Sequence, residues 1–366
     1  MKLNSIFKII FGELLYIINV ITPKKNNKLT VCVYPELEDT VRALIPYFSS
    51  NVVILAKKVR SSNPDWLPSN VRVYKKNSIR GLYHLLTARR IYFTHGIFSF
   101  FKLLNEERQL VVNLWHGMSF KNVGLLEGER HVVKSHRTLC TSPFFQKLQA
   151  KAFGMTESKV LISGLPRNDL LLVRSSNSYI SNLKSCSNNI YVWLPTYRKS
   201  KEGELREDGN TESIFAFESF NTSKLNEILV KNGDFLFIKP HPMSFLSVEL
   251  TNFSNIKLID EDWLFDKNLT LYELLSASDA LWTDYSSVFV DYVLTKKPIL
   301  FIAPDIEIYK ERRGLAFDIN IFKLPGVVVR EQEELFKVLE KPSLWKKDYD
   351  GSLFNSISKF KAELIR

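Results

Sequence analysis

Short apolar segments rich in β-branched residues alternate with amphipathic helical patterns, and this alternation limits the fold class more than any other feature. In the first half, the segments predicted as strands are 29–34, 51–57, 71–75, 91–94, 110–114 and 160–163. In the second half, they are 190–194, 235–239, 256–259, 280–282, 299–302 and 327–329. Strands that alternate with helices form mostly parallel sheets covered by helices on both faces. The predicted fold class is therefore α/β.

A polar segment divides this alternation into two halves. Residues 174–189 are rich in Ser and Asn and are predicted to be a linker. The length of 366 residues also suits two domains. The predicted organisation is an N-terminal apolar helix over 1–27, α/β domains over 28–178 and 189–345, and a C-terminal helix over 346–366. Two such domains place a cleft between them, and ligands of these sheets bind at the carboxyl ends of the strands.

The N-terminal segment 5–21 is apolar but contains Lys8 and Glu13. It is too short and too charged to predict a membrane span. No small-residue cleavage site follows it, so a signal peptide is not expected. Two interpretations stay open. The segment is either an amphipathic helix on an anionic membrane, with nearby lysines facing the lipid, or an ordinary helix packed on the body of the protein.

The composition and the missing motifs limit the classes of binding partner and of reaction that the chain is expected to have. Lys and Arg exceed Asp and Glu by 11, which favours an anionic partner such as phosphates, nucleic acid or an acidic membrane surface. The three cysteines have no disulfide or zinc-site spacing, which indicates a reducing, cytoplasmic compartment. No P-loop, GxGxxG or HExxH motif occurs, so P-loop phosphoryl transfer, dinucleotide redox chemistry and zinc hydrolysis lose support. No cofactor and no protein metal site are predicted.

Two of the six histidines directly follow predicted strands. His116 lies in VVNLWHG and His241 in FLFIKPHP. Strand ends that open into loops are where α/β proteins carry reactive groups, and one histidine in each half lets both face the same cleft. A lone histidine at such a position is more often structural, so position alone leaves both interpretations open.

The segment 282–292, WTDYSSVFVDY, combines a strand end with a helix start. Thr283 and Asp284 lie at the predicted strand end, and Ser286 and Ser287 begin the following helix. A helix N-terminus offers free N–H groups to a phosphate, although plain N-capping explains the serines equally well. Asp291 is seven residues after Asp284, is predicted to share its helix face, and is expected to reach the ribose of a nucleotide.

Three arginines lie in or near turns at strand ends. Arg167 is in GLPRND, Arg198 is in LPTYR, and Arg313 is in YKERRGLAFD. A guanidinium group suits bidentate contact with phosphate. Single arginines are usually solvated surface groups, but several near strand ends favour a phosphate-binding function.

These motifs together resemble a known family. The segments that carry the resemblance are WHG at 115–117, GLPRND at 164–169, LPTYR at 194–198, KPHP at 239–242, TDYSSVFVDY at 283–292 and YxxxRGxxFD at 309–318. Their order and spacing resemble the CDP-glycerol glycerophosphotransferase family, the teichoic acid primases and polymerases, over about residues 92–326. One departure follows WHG, where Met118-Ser119-Phe120-Lys121 replaces the family's usual Thr-Pro-Leu-Lys.

The resemblance implies a GT-B-like architecture with the active site between two Rossmann-like α/β domains. It implies transfer of a polyol phosphate, foremost glycerol phosphate, from a CDP-linked donor to a hydroxyl of a lipid-linked or polymeric acceptor, releasing CMP. This chemistry would serve cell-envelope or capsule polymer synthesis. It further implies a peripheral protein on the cytoplasmic face of the membrane, in contact with an anionic membrane surface and not with nucleic acid.

The resemblance also implies roles for particular residues. His116 is the candidate base, and His241, Arg198 and the helix start at Ser286 and Ser287 are candidates for stabilising phosphate charge. The remaining residues predicted to bind substrate are Lys239, Thr283, Asp284, Asp291, Arg167 and Arg313.

Three other functions are alternatives to polyol-phosphate transfer. A GT-B glycosyltransferase that uses a nucleotide sugar shares the cleft and the phosphate-binding helix, but it would form a glycosidic bond. A basic nucleic-acid-binding protein fits the net charge, but its characteristic motifs are missing and the basic residues are dispersed. An inactive membrane-bound scaffold is disfavoured because the WHG, KPHP and TDYSS motifs are intact.

Overall fold

The computed structural model describes residues 3–48, 51–128, 132–196, 217, 219–240, 253–316, 324–345 and 349–366, without the side chains of 3–7, 312–313 and 342–343. The chain forms two compact units. Unit 1 contains Met1–His116, Gly128–Asp169 and Ile357–Arg366. Unit 2 contains Gly117–Glu127 and Leu170–Ser356. The division falls at Asp169, earlier than the predicted linker, and the segment after the WHG motif joins unit 2.

Unit 1 contains a seven-stranded parallel sheet with the order β3-β2-β1-β4-β5-β6-β7. Its strands are β1 (Lys25–Cys32), β2 (Asn51–Ala56), β3 (Arg72–Lys75), β4 (Ala88–Phe93), β5 (Leu110–Asn113), β6 (Arg137–Cys140) and β7 (Val160–Ile162). The helices from the N-terminus to the unit boundary are α1 (Leu3–Ile21), α2 (Asp39–Leu44), α3 (Ile79–Thr87), α4 (Pro143–Phe153) and α5 (Asn168–Leu171).

Unit 2 contains a six-stranded parallel sheet with the order β10-β9-β8-β11-β12-β13. Its strands are β8 (Ile190–Leu194), β9 (Phe235–Ile238), β10 (Ile256–Leu258), β11 (Ala280–Thr283), β12 (Ile299–Ile302) and β13 (Val327–Val329). Its helices are α6 (Ser178–Cys186), α7 (Thr222–Asn232), α8 (Glu261–Asp266), α9 (Leu271–Ala277), α10 (Val288–Tyr292), α11 (Ile306–Arg313) and α12 (Gln332–Glu340).

The central strands are apolar because both faces of each sheet are covered. Every residue of β5, β8, β11 and β12 is buried. This burial accounts for continuous apolar segments in place of an alternating pattern. In unit 2 the core is built around Trp193 and Trp282, both fully buried on adjacent strands. The α/β fold class predicted from the sequence is confirmed in both units.

Helix α1 packs on unit 1 through one face and exposes the other. Leu15 is buried, and the Asn19 side-chain amide donates to Gln109 Oε1 at 3.0 Å. The opposite face carries apolar side chains that are each more than half exposed: Ile10, Leu14, Ile17 and Ile21. None of the described helices combines the length and apolar content needed to cross a membrane.

Three local features differ from the sequence prediction. Helix α6 (Ser178–Cys186) occupies most of the predicted linker 174–189. Strand β6 was not predicted, because RTLC contains only one β-branched residue. The predicted C-terminal helix over 346–366 is replaced, in the described residues 349–366, by turns and a 3₁₀ helix over Ala362–Ile365. This segment is fixed to unit 1, since the Lys361 N–H donates to Ser163 O at 2.9 Å and the Tyr92 hydroxyl donates to Ile365 O.

Candidate active site

The strand order creates a reversal point in each sheet. In unit 1 it lies between β1 and β4, and in unit 2 between β8 and β11. Loops leave such a point in opposite directions and open a crevice at the carboxyl ends of the strands, where ligands of open α/β sheets bind. Residues that follow these four strands, and the neighbouring β5, therefore form the candidate site in each unit.

A sharp turn positions His116 at the end of β5. Trp115 has a φ of 59°, a left-handed conformation that is uncommon for a bulky residue. Its N–H donates to the buried Asn113 Oδ1 at 2.9 Å, and Gly117 follows with a φ of 129°. Strained backbone held by surrounding hydrogen bonds is typical of functional sites. The turn explains why glycine ends the WHG motif and why the histidine is presented beyond the sheet edge.

The hydrogen bond of His116 fixes which ring nitrogen is basic. Its Nδ1 lies 2.9 Å from the carbonyl oxygen of Thr94, which only accepts, so Nδ1 carries the proton in the neutral ring. Nε2 therefore carries the lone pair. His136 is different, because its Nδ1 accepts from the Val111 N–H and its Nε2 donates to Leu104 O, both at 2.9 Å in the interior. His136 is a structural histidine, whereas His116 is half-buried at the strand edge.

A second histidine and a glutamate extend this cluster. The ring of His95 stacks on His116 with centroids 4.0 Å apart and planes 3° from parallel. Thr94 Oγ1 lies 2.9 Å from His95 Nδ1, and the Thr94 side chain also lowers the pKa of the Glu38 carboxyl group. The Thr94 side chain therefore interacts with both Glu38 and His95.

Glu38 titrates close to neutral pH. Burial raises its pKa to about 7, against smaller lowering effects of the Thr94 hydrogen bond and the Arg167 charge. Arg167, which is predicted to contact phosphate, is 9% exposed. The positive charge of Arg167 thus lowers the pKa of the buried Glu38 carboxyl group.

In unit 2, Asp284 joins the ends of β8 and β11. Its carboxylate accepts from the Thr196 N–H at 3.0 Å, from Thr196 Oγ1 at 2.6 Å and from the Tyr285 N–H at 2.6 Å. Asp284 is 2% exposed and Thr283 is fully buried. Both predicted substrate-binding residues therefore shape the crevice by holding its two strand ends together.

The two serines lie at the start of α10, as the sequence predicts. Ser287 is the N-cap residue, its side chain makes no capping hydrogen bond within the described residues, and both serines are half-exposed. Plain N-capping therefore does not account for the Ser287 hydroxyl. Behind them the Tyr285 hydroxyl donates to Asp305 Oδ1 at 2.8 Å, and its ring stacks on Tyr309 with centroids 4.0 Å apart.

Two other predicted ligands are occupied by internal partners. Asp291 is fully buried and its Oδ2 accepts from the Tyr272 hydroxyl, so it faces the interior of unit 2 and does not present a carboxylate to a ribose. Lys239 is 7% exposed and pairs with Glu261 at 2.8 Å. The positions of His241 and Arg198, and the side chain of Arg313, lie outside the described residues.

The segment that departs from the family pattern is part of the core of unit 2. Met118 and Phe120 are buried, and the Phe120 ring packs edge-on against Phe289 with centroids 5.8 Å apart. Phe120 O accepts from the Ala316 N–H at 3.0 Å. These contacts hold Phe120 in the interior of unit 2.

Glu38, Thr94 and His95 were not among the site residues predicted from the sequence. Glu38 lies in a loop after β1 and His95 directly follows β4, so a search for histidines at strand ends could have included His95. The pairing of β1 with β4 brings them together, and this pairing is a property of strand order. Within the described residues no group of three or more His, Cys, Asp or Glu is placed to hold a metal ion.

Two α/β units, each with a parallel sheet that reverses its strand order, are typical of a GT-B-like fold. A solved structure of the wall teichoic acid polymerase TagF supports this fold, with a TM-score of 0.72, 19% identity and coverage of 100% of this chain and 96% of that one. The family described as CDP-Glycerol:Poly(glycerophosphate) glycerophosphotransferase matches residues 14–361. The chain belongs to this family and is a glycerophosphotransferase-type enzyme.

Named relatives lie at moderate sequence identity. The teichoic acid glycerol-phosphate primase of Bacillus subtilis (strain 168) is 27% identical over 312 residues, 77% of this chain and 76% of the primase. The teichoic acid poly(ribitol-phosphate) polymerase of Bacillus spizizenii is 25% identical over 293 residues, 75% of this chain. The match covers 45% of the length of that polymerase.

Proposed function

We propose that the chain transfers glycerol phosphate from CDP-glycerol to a hydroxyl of a lipid-linked or polymeric acceptor, releasing CMP in the synthesis of a cell-envelope polymer. The observation that carries this proposal is the hydrogen bond from His116 Nδ1 to the Thr94 carbonyl, because it leaves Nε2 as the basic nitrogen in a family of phosphotransferases. A relative named for glycerol phosphate and a TagF structure soaked with CDPG favour this donor.

The proposed reaction consists of one proton transfer, the formation of one bond and the cleavage of another. The acceptor oxygen attacks the β-phosphorus of the donor, while His116 Nε2 takes the hydroxyl proton. The new bond joins the acceptor oxygen to the β-phosphorus, and the bond from that phosphorus to CMP breaks. Negative charge develops on the departing CMP and has to be stabilised by nearby donors.

The residues of unit 2 are proposed to bind the donor. The half-exposed hydroxyls of Ser286 and Ser287 would donate to its pyrophosphate, beside the backbone N–H groups that begin α10. Asp284 would keep these groups in place by fixing the ends of β8 and β11. His241 and Arg198 remain sequence-based proposals for phosphate contact.

The first experiment measures CMP release with CDP-glycerol and CDP-ribitol in separate reactions, using a lipid-linked acceptor fraction. His116→Ala should lower turnover by about 10²–10⁴-fold, the usual contribution of a general base. His84→Ala is the matched control, since His84 lies on α3, away from the carboxyl edge of the sheet, and stacks on Tyr74.

Near-normal turnover of a folded His116→Ala protein would remove His116 from the role of base. Release with CDP-ribitol alone would change the donor and keep the reaction. Binding of a nucleotide sugar without CMP release from either donor would favour a GT-B glycosyltransferase.

The exposed face of α1 supports peripheral attachment to the cytoplasmic face of the membrane. Ile10, Leu14, Ile17 and Ile21 are spaced so that they form one stripe, and large exposed apolar stripes mark interaction surfaces. Lys8 is exposed on the same helix, and the chain's positive surplus suits anionic lipid. A lipid-linked acceptor would then be met at the membrane surface.

A further inference from the structure

A basic cavity lies in unit 1, at the edge of the sheet opposite His116. It has a volume of about 740 Å³. Arg89 and Arg90 line it from the start of β4 and Arg137 from the start of β6, whereas His116 follows the carboxyl end of β5. Arg366 also lines the cavity. The cavity is therefore separate from the candidate active site.

Hydrogen bonds within unit 1 hold three of these arginines in place. Arg137 Nε donates to Glu106 Oε1 at 2.8 Å, and Arg89 Nη1 donates to Glu106 O at 3.1 Å. Arg366 Nη2 donates to Tyr47 O at 2.7 Å. Guanidinium groups that are already oriented lose less side-chain entropy when an anion binds. The cavity is thus organised before any ligand arrives.

The charge and lining of the cavity define a ligand class. Four arginines face two glutamates, Glu106 and Glu107, which leaves a positive surplus of two. Glu106 is already paired with Arg137. The lining residues, all of which the structure describes, include no aromatic side chain, so the cavity offers no platform for stacking a nucleobase. Its volume exceeds what a single phosphate ion needs.

We propose that this cavity binds the phosphate group of an aliphatic phosphate ester, at a site distinct from the candidate active site. The planar fork of each arginine matches phosphate oxygens. The same chemistry is presented by a phospholipid headgroup and by a soluble polyol phosphate. This inference does not depend on the proposed transfer reaction.

The test uses two probes with the full-length chain at low ionic strength. Calorimetry measures glycerol 3-phosphate binding, and co-sedimentation measures binding to phosphatidylglycerol vesicles, with phosphatidylcholine vesicles for comparison. The double variant R89Q/R90Q should weaken glycerol 3-phosphate binding by about 10-fold or more, the loss expected for two charge-assisted contacts. The control R72Q/R80Q carries the same charge change at exposed positions outside the cavity and should bind within about 2-fold of the wild type.

The difference between the two double variants isolates the cavity from any other phosphate site. A parallel loss of phosphatidylglycerol binding in R89Q/R90Q alone would identify a lipid headgroup as the source, and unchanged vesicle binding would identify a soluble phosphate ester. Equal binding of glycerol 3-phosphate by both variants would overturn the proposal. If R89Q/R90Q does not fold, R366Q against R80Q makes the same comparison. Failure of CMP release in the wild type would count against the proposed function and leave this result unaffected.

Discussion

At the scale of single residues, the cluster of Glu38, Thr94, His95 and His116 shows how a buried acid can influence the carboxyl edge of a sheet. Glu38 lies beside the hydroxyl that also contacts His95, and His95 stacks on His116. The pKa of about 7 makes Glu38 change its charge in the physiological range. Its protonation state should therefore affect both the stability of unit 1 and the pH dependence of turnover.

Replacing Glu38 by Gln should remove a pH-dependent loss of stability. The folded-state pKa is raised, so the folded protein binds a proton more tightly than the unfolded chain, and stability falls as pH rises from about 4.5 to about 7. The urea midpoint of the wild type should be lower at pH 8 than at pH 5, and this difference should be smaller in Glu38→Gln. The exposed Glu157→Gln is the control and should follow the wild type. The same difference in all three proteins would show that Glu38 is already ionised at pH 5.

Asp284 gives a second prediction at this scale. Asp284→Asn keeps the size of the side chain but turns an amide N–H₂ toward the donors of Thr196 and Tyr285. Leaving these buried donors unsatisfied should lower the free energy of unfolding by about 1–3 kcal/mol. Denaturant unfolding measures the change, with the exposed Asp266→Asn as control. An Asp284→Asn protein as stable as the control would mean that the strand ends are held by other contacts.

At the scale of elements, α1 combines one face that packs on the rest of unit 1 with another face that is exposed. Its packed face explains a stable helix on unit 1, through Leu15 and the bond between Asn19 and Gln109. Its exposed isoleucines add nothing to that packing. Helices of this kind bind membranes through buried apolar area and attraction to anionic lipid.

The double substitution I10Q/I17Q should reduce binding to phosphatidylglycerol vesicles by about 10-fold or more, because two apolar side chains no longer enter the bilayer surface. Co-sedimentation with vesicles measures it. I79Q/I308Q is the matched control, since Ile79 and Ile308 are 88% and 49% exposed on other helices. Equal loss in both variants would point to general surface hydrophobicity, and no loss in either would remove α1 from membrane contact.

The elements also show which parts of the fold a sequence can predict. Strands buried on both faces, such as β5 and β12, are predictable because a short, continuous apolar segment between turn signals is typical of a buried parallel strand. Strand β6 is not predictable from its composition. It is a strand because it pairs with β5 and β7. The WHG histidine is found by its position after a strand. Asp284 and Asp291 were predicted to share a helix face. A seven-residue spacing places two residues on one face only if both lie on the helix, and Asp284 follows β11.

At the scale of the whole molecule, two parallel sheets that each reverse their strand order once carry different chemistry at their reversal points. The reversal point of unit 1 carries histidines and a carboxyl group of raised pKa. The reversal point of unit 2 carries hydroxyl groups at the start of a helix and a buried carboxylate. Proton transfer suits the first set and binding of a phosphate anion suits the second. Under the proposed function, these two tasks should be separable by mutation.

The separation is tested by measuring CDP-glycerol binding and turnover in the same variants. S286A/S287A removes two hydroxyl donors and should raise the dissociation constant of CDP-glycerol by about 10-fold, whereas His116→Ala should leave it within about 2-fold and lower turnover. S181A/S185A removes two exposed serines of α6 and serves as control. Loss of donor binding in His116→Ala as large as its loss of turnover would place His116 in donor binding and not in proton transfer. Unchanged binding in S286A/S287A would move the donor phosphates away from the start of α10.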